Sequence, residues 1–367
     1  LADFKVEIIM KKKLLIIGCI LVIVTICIFC NKIFKKNNFS TEKTAYYIVH
    51  SDMLKKSGGL VGIDIDGNIT SQESLKIQDI SKSDLVDNIF IAGGNRANNH
   101  LLIDTQGNVT EFNLLDNPNY SGVTTITINN ENIVAVMNGN IADNTYQNLF
   151  VIQDIQGNIL EKKIFDIFAS DILCENNTVY IIGSYLNLEK DQWSGKIIKY
   201  NLADSTIKEN ITSPNRDYKE VVLYDGNLYC LVADMNGYIK EIDILDMDSL
   251  EKLTSMNFDK NISSIFSYDN FLYGVFDNII CKIESDNTIV DLGSLPQNTY
   301  VNSSLINENH VYFFSRNEAT ENKNGYVNLG FIIDYDILNN QMKSTPLSIE
   351  IKNYDSIIFF PVIENHN

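Results

Sequence analysis

The sequence predicts an all-β protein of seven like units, preceded by one transmembrane helix. Three observations carry that prediction: a strand-turn-strand pattern that recurs seven times, a second set of strands about twelve to twenty-five residues upstream of each turn, and a charge-free apolar run near the amino terminus. The 367 residues are 45% hydrophobic and 21% charged, the proportions of a folded chain rather than a disordered one. The net charge of -18 and a pI near 4.6 disfavour nucleic acid as a partner, since a binding face needs clustered Lys and Arg to neutralise phosphates.

The amino-terminal run comes first. Residues 14–30 carry no charge and are flanked by Lys11, Lys12 and Lys13 on one side and Lys32, Lys35 and Lys36 on the other. As a helix they span about 25 Å, enough to cross a bilayer when flanking lysines snorkel. Ile28, Phe29 and Cys30 form a poor cleavage site. The stretch Ile16-Ile17-Gly18-Cys19 resembles a lipobox, but too few apolar residues precede the cysteine for lipidation there. The preferred reading over a lipoprotein or a cleaved signal is an uncleaved signal anchor, with residues 1–13 a short tail, 14–30 the span, 31–43 a polar juxtamembrane linker and 44–367 a domain outside the cytoplasm.

The first unit shows the repeat most clearly. Residues 60–70 alternate apolar and polar, break at Asp66-Gly67-Asn68 and resume as a strand, the pattern of a tight hairpin. Polar residues closing the equivalent strand are Asp64, Asp104, Asp154, Asn201, Asp243, Glu284 and Asp336, separated by 40, 50, 47, 42, 41 and 52 residues. A period near 45 repeated seven times is the mark of a repeat architecture. Upstream of each lies a second strand, at residues 45–50, 88–92, 132–136, 178–183, 228–232, 272–275 and 311–314. Tyr47, Tyr180, Tyr229, Tyr273 and Tyr312 recur in these strands as large β-formers suited to packing between sheets. A further apolar strand precedes most of them, so each unit has four strands.

Four antiparallel strands at this period resemble the blade of a β-propeller. The predicted fold is a seven-bladed β-propeller. The first unit lacks its innermost strand, while the chain continues past its seventh unit with the apolar segment 354–362. That carboxy-terminal strand is expected to close the first blade. Pro361 is tolerable there because an innermost strand has one unpaired edge. The likeness is to bacterial propeller repeat proteins of the broadly quinoprotein-like and lactonase-like kind, and it is architectural. With one Trp in the chain, no Trp-Asp dipeptide, and paired glycines in two of the seven units (Gly58-Gly59 and Gly93-Gly94) rather than in each, no activity is implied by it.

Chemistry is sparse. His50, His100, His310 and His366 sit on separate units or the tail, with no second ligand at metal spacing. Asp64-x-Asp66-Gly67 has the start of a calcium loop but not the acidic residues that must follow, so it reads as a turn. Cys174, Cys230 and Cys281 are too scattered for a disulfide framework and read as buried thiols. No phosphate loop or nucleophile elbow is present, and neither a cofactor nor a metal is expected.

The connections between second and third strands are long at 51–59, 139–147, 185–195 and 316–326, and antiparallel alternation puts all of them on one face. Long loops on a rigid scaffold are where binding residues concentrate. The candidate binding residues are therefore Tyr146, Tyr185, Trp193, Tyr326, Asp191 and Arg316, with Asp143, Glu189 and Glu318 beside them. The expected function is a membrane-anchored, non-catalytic module binding a protein, peptide or glycan. The alternatives are a divalent-cation-dependent hydrolase or lactonase, and a structural component of an envelope complex.

Overall fold

The computed structural model describes residues 43–362, apart from 116–118, 235, 297–298, 318–324, 348 and 353–354. The expected tail, membrane span and most of the linker lie outside the described residues. No helix among the described residues is long and apolar enough to cross a membrane.

Seven four-stranded antiparallel sheets follow one another along the chain, forming a seven-bladed β-propeller. Blades 2 to 7 run from innermost to outermost strand in sequence order. Blade 1 takes its second, third and outer strands from Tyr46–Asp52, Gly58–Ile63 and Ile69–Leu75, and its innermost strand from Asp355–Pro361 at the far end of the chain. The closing strand pairs in continuous register from Tyr46↔Pro361 to Asp52↔Asp355. Alternation sends its side chains to opposite neighbours: Phe359 packs on Phe314 of blade 7 at 6.0 Å, while Phe360 stacks on Phe90 of blade 2 at 4.0 Å. Burying Ile358, Phe359 and Phe360 contributes about 1.5–3 kcal/mol each, so one strand locks both seams of blade 1. Tyr326–Asn328 pairs with Glu350–Lys352 in a small additional sheet that the sequence did not suggest.

The recurring turn is structural. Asp64 Oδ1 accepts from the backbone N–H of Asp66 at 2.9 Å and of Asn68 at 2.8 Å, and Gly67 takes the positive φ (88°) that a side chain would strain. The bond from Asn68 heads those that hold the Asp64 carboxyl below its ordinary pKa. The same cap forms at Asp104 and Asp154.

One of the seven strand-closing residues is misplaced by the sequence reading. In blade 5 the third strand runs Ile239–Asp246, and Asp246 makes the turn by accepting from Asp248 and Ser249. Asp243 lies in mid-strand and is fully buried. The polar alternation Asp243, Asp246, Asp248 offered three candidates, and the first was a core position.

Two connections also differ from expectation. The residues read as loops at 139–147 and 185–195 are mostly strand: blade 3 has Asn132–Ala142 and Thr145–Asp154, and blade 4 has Thr178–Asn187 and Gln192–Asn201. Polar residues such as Asn138, Asn140 and Asn187 hid the pairing, because a ribbon rising above the core has no apolar face to declare it. Asp143 and Asn144 both take positive φ (49° and 59°), as a two-residue hairpin turn requires.

Candidate functional site

The two ribbons stand side by side on the face carrying the connections between second and third strands. At the base of the first, the register shifts between Gln147 and Leu149. Gly139 sits opposite, where any Cβ would overlap the Gln147 carbonyl. The ribbons are tied by Leu188 N–H donating to the Asn144 carbonyl at 3.1 Å and by Asn144 Nδ2 donating to Glu189 Oε1 at 3.1 Å. Beneath these bonds an aromatic chain crosses the seam: Tyr146 meets Phe168 edge-on at 5.0 Å, and Phe168 meets Trp193 edge-on at 6.4 Å. Burial raises the Tyr146 phenol pKa, while Tyr146 donates to the Gly139 carbonyl at 3.4 Å.

The upper surface of this pair is apolar at several adjoining points. Ile141 is 58% exposed, Trp193 40%, Leu188 38% and Phe168 36%, and Asp143, Glu189 and Asp191 sit at the turns. Of the six candidate residues, the structure brings Tyr146 and Trp193 into one cluster through Phe168, which the sequence reading missed. Tyr185 lies in the same ribbon with Lys196 Nζ 5.6 Å from its ring centre, and Asp191 caps that ribbon's turn with positive φ. Arg316 belongs to blade 7 and Tyr326 to the small sheet formed between that blade's second and third strands, three blades away in either direction around the ring, and neither is part of this cluster. Glu318 lies outside the described residues.

Next to the second ribbon the face continues into blade 5. The Trp193 carbonyl accepts from Asn215 N–H at 2.7 Å, which fixes the connection bearing Arg216. The Arg216 guanidinium is held by both oxygens of Asp243 (3.0 and 2.9 Å) and by Glu241 Oε1 (2.9 Å). Asp243 also accepts from Tyr218 OH at 3.1 Å and Ser255 Oγ at 2.7 Å, and pairs with Lys252 Nζ at 2.8 Å. Burial works against the Arg216 charge, but Glu241 and Asp243 more than restore it, leaving its pKa raised. Burial is also the main cause of the raised Tyr218 pKa. Above this network opens a cleft of about 360 Å³.

A third feature lies on the ring axis. Blades 2 to 7 each carry a β-bulge in the innermost strand. The innermost strands of all seven blades line a channel of about 540 Å³ into which Lys82, Asp84, Asp171 and Glu220 reach. Each acid bonds to the next blade: Asp84 accepts from Thr127 Oγ1, Asp171 from Val221 N–H at 3.0 Å, and Glu220 from Ser264 Oγ at 2.9 Å and Ile265 N–H at 3.3 Å. All three are half-buried in the channel wall. Burial lifts Asp171 to about 6, and burial followed by repulsion from Asp171 lifts Glu220 to about 8.

Other titratable groups are structural. His100 is buried, its Nδ1 accepting from Gly94 N–H at 3.2 Å while Nε2 donates to Asn98 Oδ1 at 3.0 Å, and burial holds its pKa down at about 3. His50 bridges the closing strand to the second strand of blade 1 through Asp355 at 3.3 Å. Cys174, Cys230 and Cys281 are free thiols. Among the described residues, no three or more His, Cys, Asp or Glu side chains lie close enough together to hold a metal ion.

No family model and no curated protein matches the chain. Solved structures do resemble it. A functionally unknown protein from Desulfotomaculum acetoxidans has a TM-score of 0.55 at 12% identity, over 85% of this chain and 98% of that one. Catalytically inactive virginiamycin B lyase from Staphylococcus aureus, with quinupristin, has a TM-score of 0.54 at 16% identity, over 83% of this chain and 89% of that one. The WD40 domain of Neurospora crassa Pan2 has a TM-score of 0.52 at 9% identity, over 78% of this chain and 90% of that one. At these identities the likeness shows the fold alone, and the resemblance of this chain to seven-bladed propeller proteins is one of architecture.

Proposed function

We propose that the chain is a membrane-anchored, extracytoplasmic, non-catalytic binding module whose protein partner docks on the paired ribbons of blades 3 and 4. The observation that carries this is the ribbon pair: two hairpins bonded to each other on a rigid ring, exposing Ile141, Phe168, Leu188 and Trp193 together. Exposed apolar side chains grouped at one place and rimmed by acidic turns suit a protein interface, where a buried aromatic anchor supplies most of the affinity. The charge-free run 14–30 supports the anchor.

The test places a photo-crosslinking residue at position 141 or 193 of the full chain in its native membrane. A discrete adduct is expected from both positions and none from position 338, an exposed leucine on the opposite face. Equal adducts from all three positions, or none from 141 and 193, overturn the proposal.

A further inference from the structure

Asp243 is out of place by the logic of the fold. Counted from the bulge in the innermost strand, the same position of the third strand is Leu101 in blade 2, Val151 in blade 3, Ile198 in blade 4, Cys281 in blade 6 and Ile333 in blade 7, every one fully buried. Blade 5 alone of these puts a carboxylate there, facing Cys230 across the pair. A buried ion cluster is rarely a better stabiliser than packed hydrocarbon. Its effect here is geometric: it pairs the Arg216 charge with two carboxylates and holds the guanidinium in place in the wall of the 360 Å³ cleft.

The cleft wall presents mixed hydrogen-bonding groups without net charge. Arg216, Lys240 and Lys252 balance Asp234, Glu241 and Asp243 in and behind it. A free carboxylate would face Glu241 and Asp234, and a free amine would face Arg216 and Lys240. Asn215 and Asn257 add neutral amides that both donate and accept. Tyr238, 59% exposed, supplies an aromatic face at the rim.

We propose that this cleft is a binding site for a neutral sugar ring. A pyranose has hydroxyls that donate and accept in turn and an apolar face of C–H groups, which matches fixed N–H and C=O groups beside an exposed aromatic ring. Arg216, Asn215, Glu241 and Asn257 of the lining bind ring hydroxyls, and Tyr238 stacks on the C–H face. The site uses none of the ribbon residues and stands whether or not a protein docks there.

The test is titration of the full chain in mild detergent with the methyl glycosides of glucose, galactose and N-acetylglucosamine, followed by saturation-transfer NMR. Acetate and glycine serve as charged comparators. At least one neutral glycoside should bind, and Tyr238→Ala should weaken it about tenfold with unchanged thermal unfolding. Asn257→Ala, which removes a side chain that supports no core contact, should weaken it severalfold. Binding of acetate or glycine in preference to every glycoside, absence of glycoside binding, or full binding by Tyr238→Ala overturns the proposal.

Discussion

Blades 4 and 5 are neighbours built to one register, and they use the middle of the third strand in opposite ways. Blade 4 puts Ile198 there, packed among Val179, Ile181 and Tyr200 against blade 3. Blade 5 puts Asp243 there, ringed by Arg216, Lys252, Tyr218 and Ser255. Blade 4 instead raises a long ribbon above the face, while blade 5 connects the same strands by the short turn at Asp234–Tyr238. The pair shows how a repeat fold diversifies: the scaffold tolerates a charge in its core layer or an extension at its rim, provided every buried donor and acceptor finds a partner.

Opening the ring itself should have the largest effect on both blades. Deleting residues 354–367 removes the closing strand and its two aromatic clamps, leaving blade 1 with an uncovered inner edge. The loss rivals the whole stability of an ordinary domain, so the truncated chain should unfold or associate. Size-exclusion chromatography and circular dichroism check this, and a stable truncated monomer would refute the closed ring.

Next in size are the two core positions. Asp243→Ala leaves the half-buried Arg216 and Lys252 with Glu241 as their acid and takes an acceptor from Tyr218 and Ser255, and should destabilise by about 3 kcal/mol. Ile198→Ala leaves a cavity in hydrocarbon and should cost about 2–5 kcal/mol. Urea unfolding separates them by salt: the Asp243 variant's deficit should change with ionic strength, and the Ile198 variant's should not.

The channel acids give a smaller effect that grows with pH. Glu220 has a folded pKa near 8 against 4.5 ordinarily, because burial and then Asp171 disfavour its charge. A raised folded pKa contributes stability that is complete below about 4.5 and is lost as pH climbs towards 8. Asp171 acts likewise between 3.8 and about 6. The unfolding free energy of the wild type should therefore fall between pH 6 and pH 8, by less than about 1.4 kcal/mol per pH unit since Glu220 is only half-buried, and the melting temperature should fall with it. Glu220→Gln should flatten that slope, and an unchanged slope would mean that Glu220 is ionised throughout. Trp193→Ala closes the series with a stability change within about 1 kcal/mol, because its ring is already part exposed.

The sequence disclosed the ring because its determinants are local. Alternating strands, Asp-x-x-Gly-Asn turns and an apolar surplus strand at 354–362 each state their role without reference to distant residues. It concealed what depends on neighbours. The bulges beside Lys82, Asp171 and Glu220 leave no mark in the pattern, since one extra residue looks like any other. The ribbons passed for loops because their pairing above the core needs no apolar face. Asp243 was visible, but as a turn residue, because its partners Arg216 and Lys252 lie 27 positions before it and 9 after it. Its exceptional position is apparent only when the blades are laid in register.

On the proposed sugar site, blade 5 keeps its buried charges for recognition rather than for stability. This is tested by replacing the network with hydrocarbon: Arg216→Met, Tyr218→Phe, Asp243→Leu, Lys252→Met and Ser255→Ala in one chain, with urea unfolding and glycoside titration on the same sample. Unfolding at the same or higher urea concentration together with loss of sugar binding is expected. A variant that loses several kcal/mol of stability, or that still binds the glycoside as the wild type does, would contradict it.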